Sequence, residues 1–488
     1  MNTYLGIDLG TSGVKVLLVA FNGEILAEES RSYNVIYPQA GWTEQNPLDW
    51  EKSTYSAINA IFDNKKYSKD DVKGISFGGQ MHGLVLLDKE DNVIRPAILW
   101  NDGRTQKQTD YLNNVIGKEN LSNYTANIAF AGFTAPKILW VKENEPENFA
   151  RISKIMLPKD YLAYKLTGVH STDFSDASGM LLLDVQHKIW SENMLEICSV
   201  KKEWLPMLYE SYEPIGPLLP EFGFKNAIVS AGAGDNAAAA IGTGTVKDGD
   251  CNISLGTSGT VFISSDSFSV DSKNALHSFA HSTGKWHLMG CILSAASCNK
   301  WWIEDIIKSS DYAVQVEGVE KTLGENEVYF LPYLMGERSP HNDVNARGAF
   351  IGLSMTTTKE QMSLAILEGV AFALRDCVEV AKQNGVTLKE TNLCGGGAKS
   401  DLWKKIIANV LNLKVNILQT EQGPAYGGAI LAMVGAGEYQ SVEQATATIV
   451  KTKESIIPSQ ELVEKYESKY AKFKQLYPAL KNMFNNIT

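Results

Sequence analysis

Hydrophobic and polar positions repeat one pattern twice, half a chain apart: an apolar run, the five residues Leu-Gly-Thr-Ser-Gly, then a β-branched run. The first copy runs through Gly6-Ile7-Asp8, Leu9-Gly10-Thr11-Ser12-Gly13 and Val14 to Val19. The second runs through Asn252-Ile253-Ser254, Leu255-Gly256-Thr257-Ser258-Gly259 and Thr260 to Ile263. Such runs bounded by glycine predict strand, turn, strand in each copy. Asn22-Gly23 then predicts a hairpin into a third strand, Glu24 to Ala27. Further along, the pattern predicts a helix from Pro47 to Phe62, a strand from Val72 to Phe77, and another from Val93 to Trp100 with Pro96 at its edge. Thr358 with Gln361 forms a capping box that opens a long apolar helix towards Asn384-Gly385. Near the end, Leu462, Val463, Tyr466, Tyr470, Phe473 and Tyr477 recur at helical spacing and predict a packed helix. Two β-rich starts, at residues 4 and 250, imply two α/β lobes with a boundary near Thr243 to Lys247, so that the domains are 1–245 and 246–488.

Either turn alone reads as a tight hairpin, but an identical pair suggests two lobes facing one ligand. Glycine admits backbone angles closed to other residues, so a Gly-Thr-Ser-Gly turn presents N–H groups and hydroxyls to one anion. A polyphosphate gripped from both sides is the expected guest. The copies differ at Asp8, which Ser254 replaces in the second, and a carboxylate beside phosphate calls for a metal or a catalytic role. The string Ala231-Gly232-Ala233-Gly234-Asp235-Asn236-Ala237 follows a short apolar run and matches the dinucleotide fingerprint in outline. It lacks a clearly placed acidic residue about 20 positions on, and its own Asp235 would stand against a pyrophosphate. Asp235 better suits a base that reaches a small hydroxylated substrate, with a helix cap as the plain alternative. Gly395-Gly396-Gly397-Ala398-Lys399-Ser400 opens another helix and reads as a shelf for adenosine. No Gly-x4-Gly-Lys-Ser/Thr string is present, which excludes the ordinary P-loop route to ATP.

Composition narrows the class further. The 488 residues are too many for one core, and a net charge of −11 leaves no basic footprint for nucleic acid. Six cysteines lie scattered without metal-binding spacing, which favours a reducing compartment. No secretory leader and no membrane-length apolar run is expected, so the protein is read as cytoplasmic.

The phosphate turns and the glycine shelf together resemble the sugar kinase, Hsc70 and actin superfamily, and within it the FGGY carbohydrate kinases. Gly132 to Asn144 and Gly348 to Glu368 are similar to the two long motifs of that family. Gly79-Gln80-Met81-His82-Gly83 carries Met-His where members acting on glycerol carry Arg-Glu, and so resembles the branch that phosphorylates D-xylulose. The segments around Lys159-Asp160, Ser175-Asp176, His277, His287 and Glu337-Arg338 agree with that branch as well. The resemblance implies two ribonuclease H-like (actin-like ATPase) domains with a cleft between them, and ATP-dependent transfer of the γ-phosphoryl group to the sugar's terminal hydroxyl. By the same analogy Asp235 is the general base and Asp8 a catalytic carboxylate that holds Mg2+. Thr11, Ser12, Gly256 and Thr257 form the phosphate clamp, with Lys15 as a minor candidate. Gly396, Gly397 and Ser400 bind adenosine, and Met81, His82, Asp235, Asn236 and Asp102 bind the sugar. Trp301 and Trp302 are read as core rather than as a nucleotide border. The expected partners are D-xylulose and ATP, with no nucleic acid and no membrane, and a homodimer is left open. Rival readings are a kinase for another ketopentose or polyol and a non-catalytic nucleotide switch.

Overall fold

In the computed structural model, which describes residues 1–63, 65–312 and 317–487, the first half of the chain builds one mixed sheet. Its strands are β1 (Thr3–Leu9), β2 (Gly13–Ala20), β3 (Ile25–Ser32), β4 (Val72–Gly79), β5 (Pro214–Pro217), β6 (Ile228–Ser230) and β7 (Ala233–Gly234). They lie in the order β5-β6-β4-β1-β2-β3, with β7 continuing along β4. β1, β2 and β3 form the expected antiparallel meander, whereas β4 pairs in parallel with β1, β6 and β7. The second half repeats the plan with β8 (Cys251–Leu255), β9 (Gly259–Ser265), β10 (His277–Ala280), β11 (Trp286–Ile292), β12 (Glu390–Cys394), β13 (Lys414–Leu418) and β14 (Thr452–Ile456), ordered β10-β11-β9-β8-β12-β13-β14. Here β8 pairs antiparallel with β9 and parallel with β12, as β1 does with β2 and β4.

Nine helices matter for the site: α1 (Pro47–Asp63), α2 (Thr134–Asn144), α3 (Pro158–Thr167), α4 (Asp235–Gly242), α5 (Lys359–Gln383), α6 (Asp401–Leu411), α7 (Gly423–Gly435), α8 (Val442–Ile449) and α9 (Gln460–Ile487). α1 buries Trp50, Thr54, Ala57, Ile58 and Ile61, one face at helical spacing, against β2 and β3. α5 starts where the capping box demands, with Thr358 N–H donating to Gln361 Oε1 at 2.9 Å and Gln361 N–H to Thr358 Oγ1 at 3.3 Å. Its stretch from Ser363 to Arg375 is buried throughout, as befits the central helix of the second core. α9 covers it with Tyr466, Tyr470 and Phe473, and a buried ion pair between Lys469 and Glu368 ties the two together.

One sequence expectation is corrected. Between Val93 and Trp100 only Ala97–Ile98 joins a ladder, because Pro96 has no N–H to continue one. Helix packing also crosses residue 245: α7, a run of small residues, lies on the first sheet and against α4. A Cβ on Gly6 would fall 1.9 Å from the Ala425 carbonyl oxygen, one on Gly74 2.5 Å from that of Ala432, and one on Gly427 1.8 Å from that of Ala238. Backbone meets backbone there, which only glycine permits. Trp302 packs in the second core, with Nε1–H donating to Ser363 Oγ at 2.8 Å and Trp301 stacked on Phe330. Among the described residues no helix is long and apolar enough to cross a membrane.

Candidate active site

Parallel pairing brings three loops to one edge of the first sheet. Asp8 of β1 is in register with Gly78 of β4, which is in register with Ala233 of β7; one step on, Leu9, Gly79 and Gly234 align. The chain therefore leaves these strands side by side, as Gly10-Thr11-Ser12, as Gln80-Met81-His82 and as Asp235-Asn236. Gln80 N–H donates to Leu9 O at 2.8 Å and seals the first two. In the second sheet, Ser254 of β8 is in register with Cys394 of β12, so the Gly256-Thr257 turn and the Gly395-Gly396-Gly397 segment also emerge together. Gly395 has φ +89° and its absent Cβ would sit 2.7 Å from Leu255 O, so that segment can hug β8 only as glycine.

Asp8 and Asp235 share the edge of the first sheet, where the Asp235 charge adds to the cost of ionising Asp8. Burial, then the Asp235 charge, push the Asp8 carboxyl up to about 7, against a smaller pull from Lys15. Burial pushes Asp235 up to about 6, although the Asn236 backbone and side-chain N–H groups donate to its Oδ1 at 2.7 and 3.0 Å. Asp235 is the first residue of α4, and the cap position belongs to Gly234. Asp8 makes no hydrogen bond or ion pair among the described residues. Desolvated carboxylates of this kind are expensive without a cationic or hydrogen-bonding guest.

His82 adopts φ +67°, a strained value for a residue with a side chain. The strain is held from behind: Lys137 Nζ, fully buried on α2, donates to the carbonyls of His82 at 2.8 Å and Gly132 at 2.7 Å, and Thr134 Oγ1 donates to His82 at 3.1 Å. The ring stacks on Phe133, 4.6 Å between centroids, and Nδ1 meets Gly179 O at 2.7 Å, so Nδ1 carries the hydrogen. Burial and the Lys137 charge lower its pKa to about 3. The ring is thus neutral, with Nε2 left as an acceptor. Met81 is buried alongside, its sulfur 3.9 Å from Asn236 Nδ2.

Other predicted residues are placed differently. Asp102 does not stand free for a sugar: its two oxygens accept from Thr43 N–H at 2.6 Å, from Arg104 N–H and Nε–H at 2.9 Å each, and from Arg104 Nη2 at 2.7 Å. Its charge faces Lys137, so it stands one step behind His82. Lys15, opposite Asp8 on β2, directs Nζ to Gln422 Oε1 at 2.9 Å and Glu28 at 3.3 Å. Thr11 Oγ1 accepts from Trp100 Nε1 at 2.9 Å and Thr11 O from Gln45 Nε2 at 2.6 Å, while Ser12 is exposed. The second turn is anchored by Ala295 N–H to Thr257 O and Ala296 N–H to Gly256 O, both 2.9 Å, which leaves Thr257 exposed. Gly396 is open to solvent, Gly397 is packed on Leu255, and Ser400 Oγ caps α6 by accepting from Trp403 N–H at 3.3 Å. Sequence reasoning missed Gln45, Gln80 and Trp100, which brace the Thr11 turn from distant segments. Their polarity alone carries no signal of that contact.

No group of three or more His, Cys, Asp or Glu among the described residues could hold a metal. Two desolvated carboxylates are the available hard oxygen donors, a set that suits Mg2+ shared with phosphate and water rather than an all-protein cage.

Residues 3–242 match the N-terminal domain of the FGGY family of carbohydrate kinases, and residues 251–436 match its C-terminal domain. The chain belongs to the FGGY family of carbohydrate kinases. It is similar to the xylulose kinase of Escherichia coli, 39% identical over 98% of this chain and 99% of that one, and to the xylulose kinase of Bacillus subtilis, 37% identical over 99% and 98%. Its structure is similar to the crystal structure of a xyloylose kinase from Brucella ovis, with TM-score 0.94 and 38% identity over 99% of this chain and 100% of that one. The fold is accordingly the two-domain α/β architecture of the actin-like ATPases, as the resemblance implied.

Proposed function

We propose that this chain phosphorylates D-xylulose with ATP, giving D-xylulose 5-phosphate and ADP, in the cytoplasm and in the service of xylose catabolism. The observation that carries the reading is the pair of half-buried, desolvated carboxylates, Asp8 and Asp235, at the sheet edge that also bears Thr11, Ser12, Met81 and His82. Near-full-length similarity to two xylulose kinases supports the choice of sugar.

An aliphatic alcohol is a weak nucleophile near neutral pH. Asp235 accepts the proton of the terminal hydroxyl as its oxygen bonds to the γ-phosphorus and the bond from γ-phosphorus to the bridging oxygen breaks, releasing ADP. Met81, His82 and Asn236 hold the sugar: neutral His82 accepts a sugar hydroxyl at Nε2, and Met81 packs on carbon. Thr11, Ser12, Gly256 and Thr257 hold the phosphates from the two lobes, and Gly396, Gly397 and Ser400 border the adenosine. Asp8 would hold Mg2+, whose charge offsets that of the β- and γ-phosphates when bound. Lys15, engaged with Gln422 and Glu28, and Asp102, engaged with Thr43 and Arg104, support the site rather than bind ligand.

The substrate is tested by coupled ADP detection across D-xylulose, D-ribulose, L-xylulose and glycerol, with the highest kcat/KM expected on D-xylulose. A higher value on another sugar would move the protein to that branch. The acid limb of the rate profile is a second check. The base acts ionised, and burial raises its proton affinity, so activity is lost as pH falls below the folded-state value. kcat/KM for D-xylulose is expected to decline through an apparent pKa of about 6, carried by Asp235. An acid limb near pH 4, the ordinary aspartate range, contradicts the arrangement.

A further inference from the structure

Behind the Gly234–Asp235 turn lies a buried cluster of charge that takes no direct part in the transfer. Lys159, on α3, is wholly buried, and its Nζ lies 2.6 Å from Asp160, 2.9 Å from Asp173 Oδ1 and 3.7 Å from Asp176. A Cβ on Gly79 would fall 2.6 Å from Lys159 Cβ, so the cluster sits directly under the end of β4. One cation cannot neutralise three buried carboxylates. Burial raises Asp176 well above the usual carboxylate range, with Asp160, Asp173 and Asp235 adding to the effect and Lys159 opposing it.

Asp173 turns this charge into a directed hydrogen-bond chain. Its Oδ1 faces Lys159, and its Oδ2 accepts from Ser175 N–H at 2.9 Å, Ser175 Oγ at 2.5 Å and Ser211 Oγ at 2.7 Å. The N–H of Gly234 can only donate, and it meets Ser175 Oγ at 3.2 Å. Having one proton, the Ser175 hydroxyl accepts from Gly234 and gives its own hydrogen to Asp173. Lys159 thereby fixes Asp173, Asp173 fixes the hydroxyl, and the hydroxyl fixes the Ala233–Gly234 peptide, one residue ahead of Asp235.

We propose that Ser175, braced by Asp173 and Lys159, is a positioning residue that sets the aim of the Asp235 carboxylate. The inference rests on the reading of Asp235 as the base. A carboxylate misplaced by a fraction of an ångström loses proton transfer in the transition state more than it loses substrate affinity.

The test compares Ser175→Ala, Ser175→Thr, Asp235→Asn and the double variant Ser175→Ala with Asp235→Asn, by steady-state kinetics and thermal melting. Ser175→Ala is expected to lower kcat on D-xylulose about tenfold, with both KM values within about twofold and a melting temperature lowered only by the loss of the buried hydroxyl's hydrogen bonds. Ser175→Thr, which keeps the hydroxyl, is expected to recover most of the loss. In the Asp235→Asn background, removing the hydroxyl should cost nothing further, because there is no base left to aim. Wild-type kcat in Ser175→Ala, or a loss that repeats in full on Asp235→Asn, overturns the proposal. Near-normal turnover in Asp235→Asn would instead overturn the assignment of the base. Should Ser175→Ala not fold, Ser175→Cys, with its weaker hydrogen-bonding atom, is expected to give the same fall in kcat at unchanged KM, and wild-type kcat there refutes the idea equally.

Discussion

Asp235→Ala is expected to lower kcat by about 10³-fold while ATP binding changes little, because general-base catalysis contributes roughly 10²–10⁴ and the loss of this carboxylate removes no proposed nucleotide contact. Equilibrium titration with a non-hydrolysable nucleotide and single-turnover kinetics separate the two effects. Turnover within a few-fold of wild type would remove Asp235 from the base role. The same residue carries a stability signature of opposite sign. Its folded-state pKa is raised to about 6 by burial, so the native state favours the protonated form, and the stabilisation that this brings is lost as pH rises from the unfolded value through about 6. At neutral pH the ionised carboxylate is therefore a burden on the fold. Asp235→Asn should melt no lower than wild type at pH 7.5 and lose any advantage near pH 4, a combination that a merely structural aspartate would not give.

Gly427→Val is expected to destabilise the protein by about 3 kcal/mol or more, a cost at the upper end for overpacking. α7 presses its backbone on α4, and any Cβ at residue 427 would lie 1.8 Å from Ala238 O and 2.6 Å from Ala238 C, where no side-chain rotation can relieve the clash. In a solvated helix the change from glycine would be neutral or favourable, so the sign of the result reports the packing. Since α4 begins at Asp235, displacing it should lower kcat together with stability. A urea midpoint equal to that of wild type would show that α7 does not pack on α4 in solution.

Much of the architecture could be read before any coordinates, because its signals are local. The twin Leu-Gly-Thr-Ser-Gly turns, the Asn22-Gly23 hairpin, the Thr358–Gln361 capping box and the periodic tail each depend on residues within a few positions of one another. The grouping of Thr11, His82 and Asp235 followed from family resemblance; its physical cause is the parallel register that aligns Asp8, Gly78 and Ala233. Asp102 shows the limit. Family resemblance offered it to the sugar, but Arg104 and Thr43 donate to both of its oxygens. Gln45 supporting the Thr11 turn, and Ser175 supporting Gly234, join segments 34 and 59 residues apart.

Strands, turns and caps were thus settled by neighbouring residues along the chain, where backbone sterics and hydrogen-bonding side chains act over a few ångströms. Which polar groups are free and which are spent, why Asp8 and Asp235 hold their protons so tightly, and how α7 returns to the first sheet were settled by burial. Desolvation and close packing depend on partners that the fold brings in from remote parts of the sequence, and no local pattern records them.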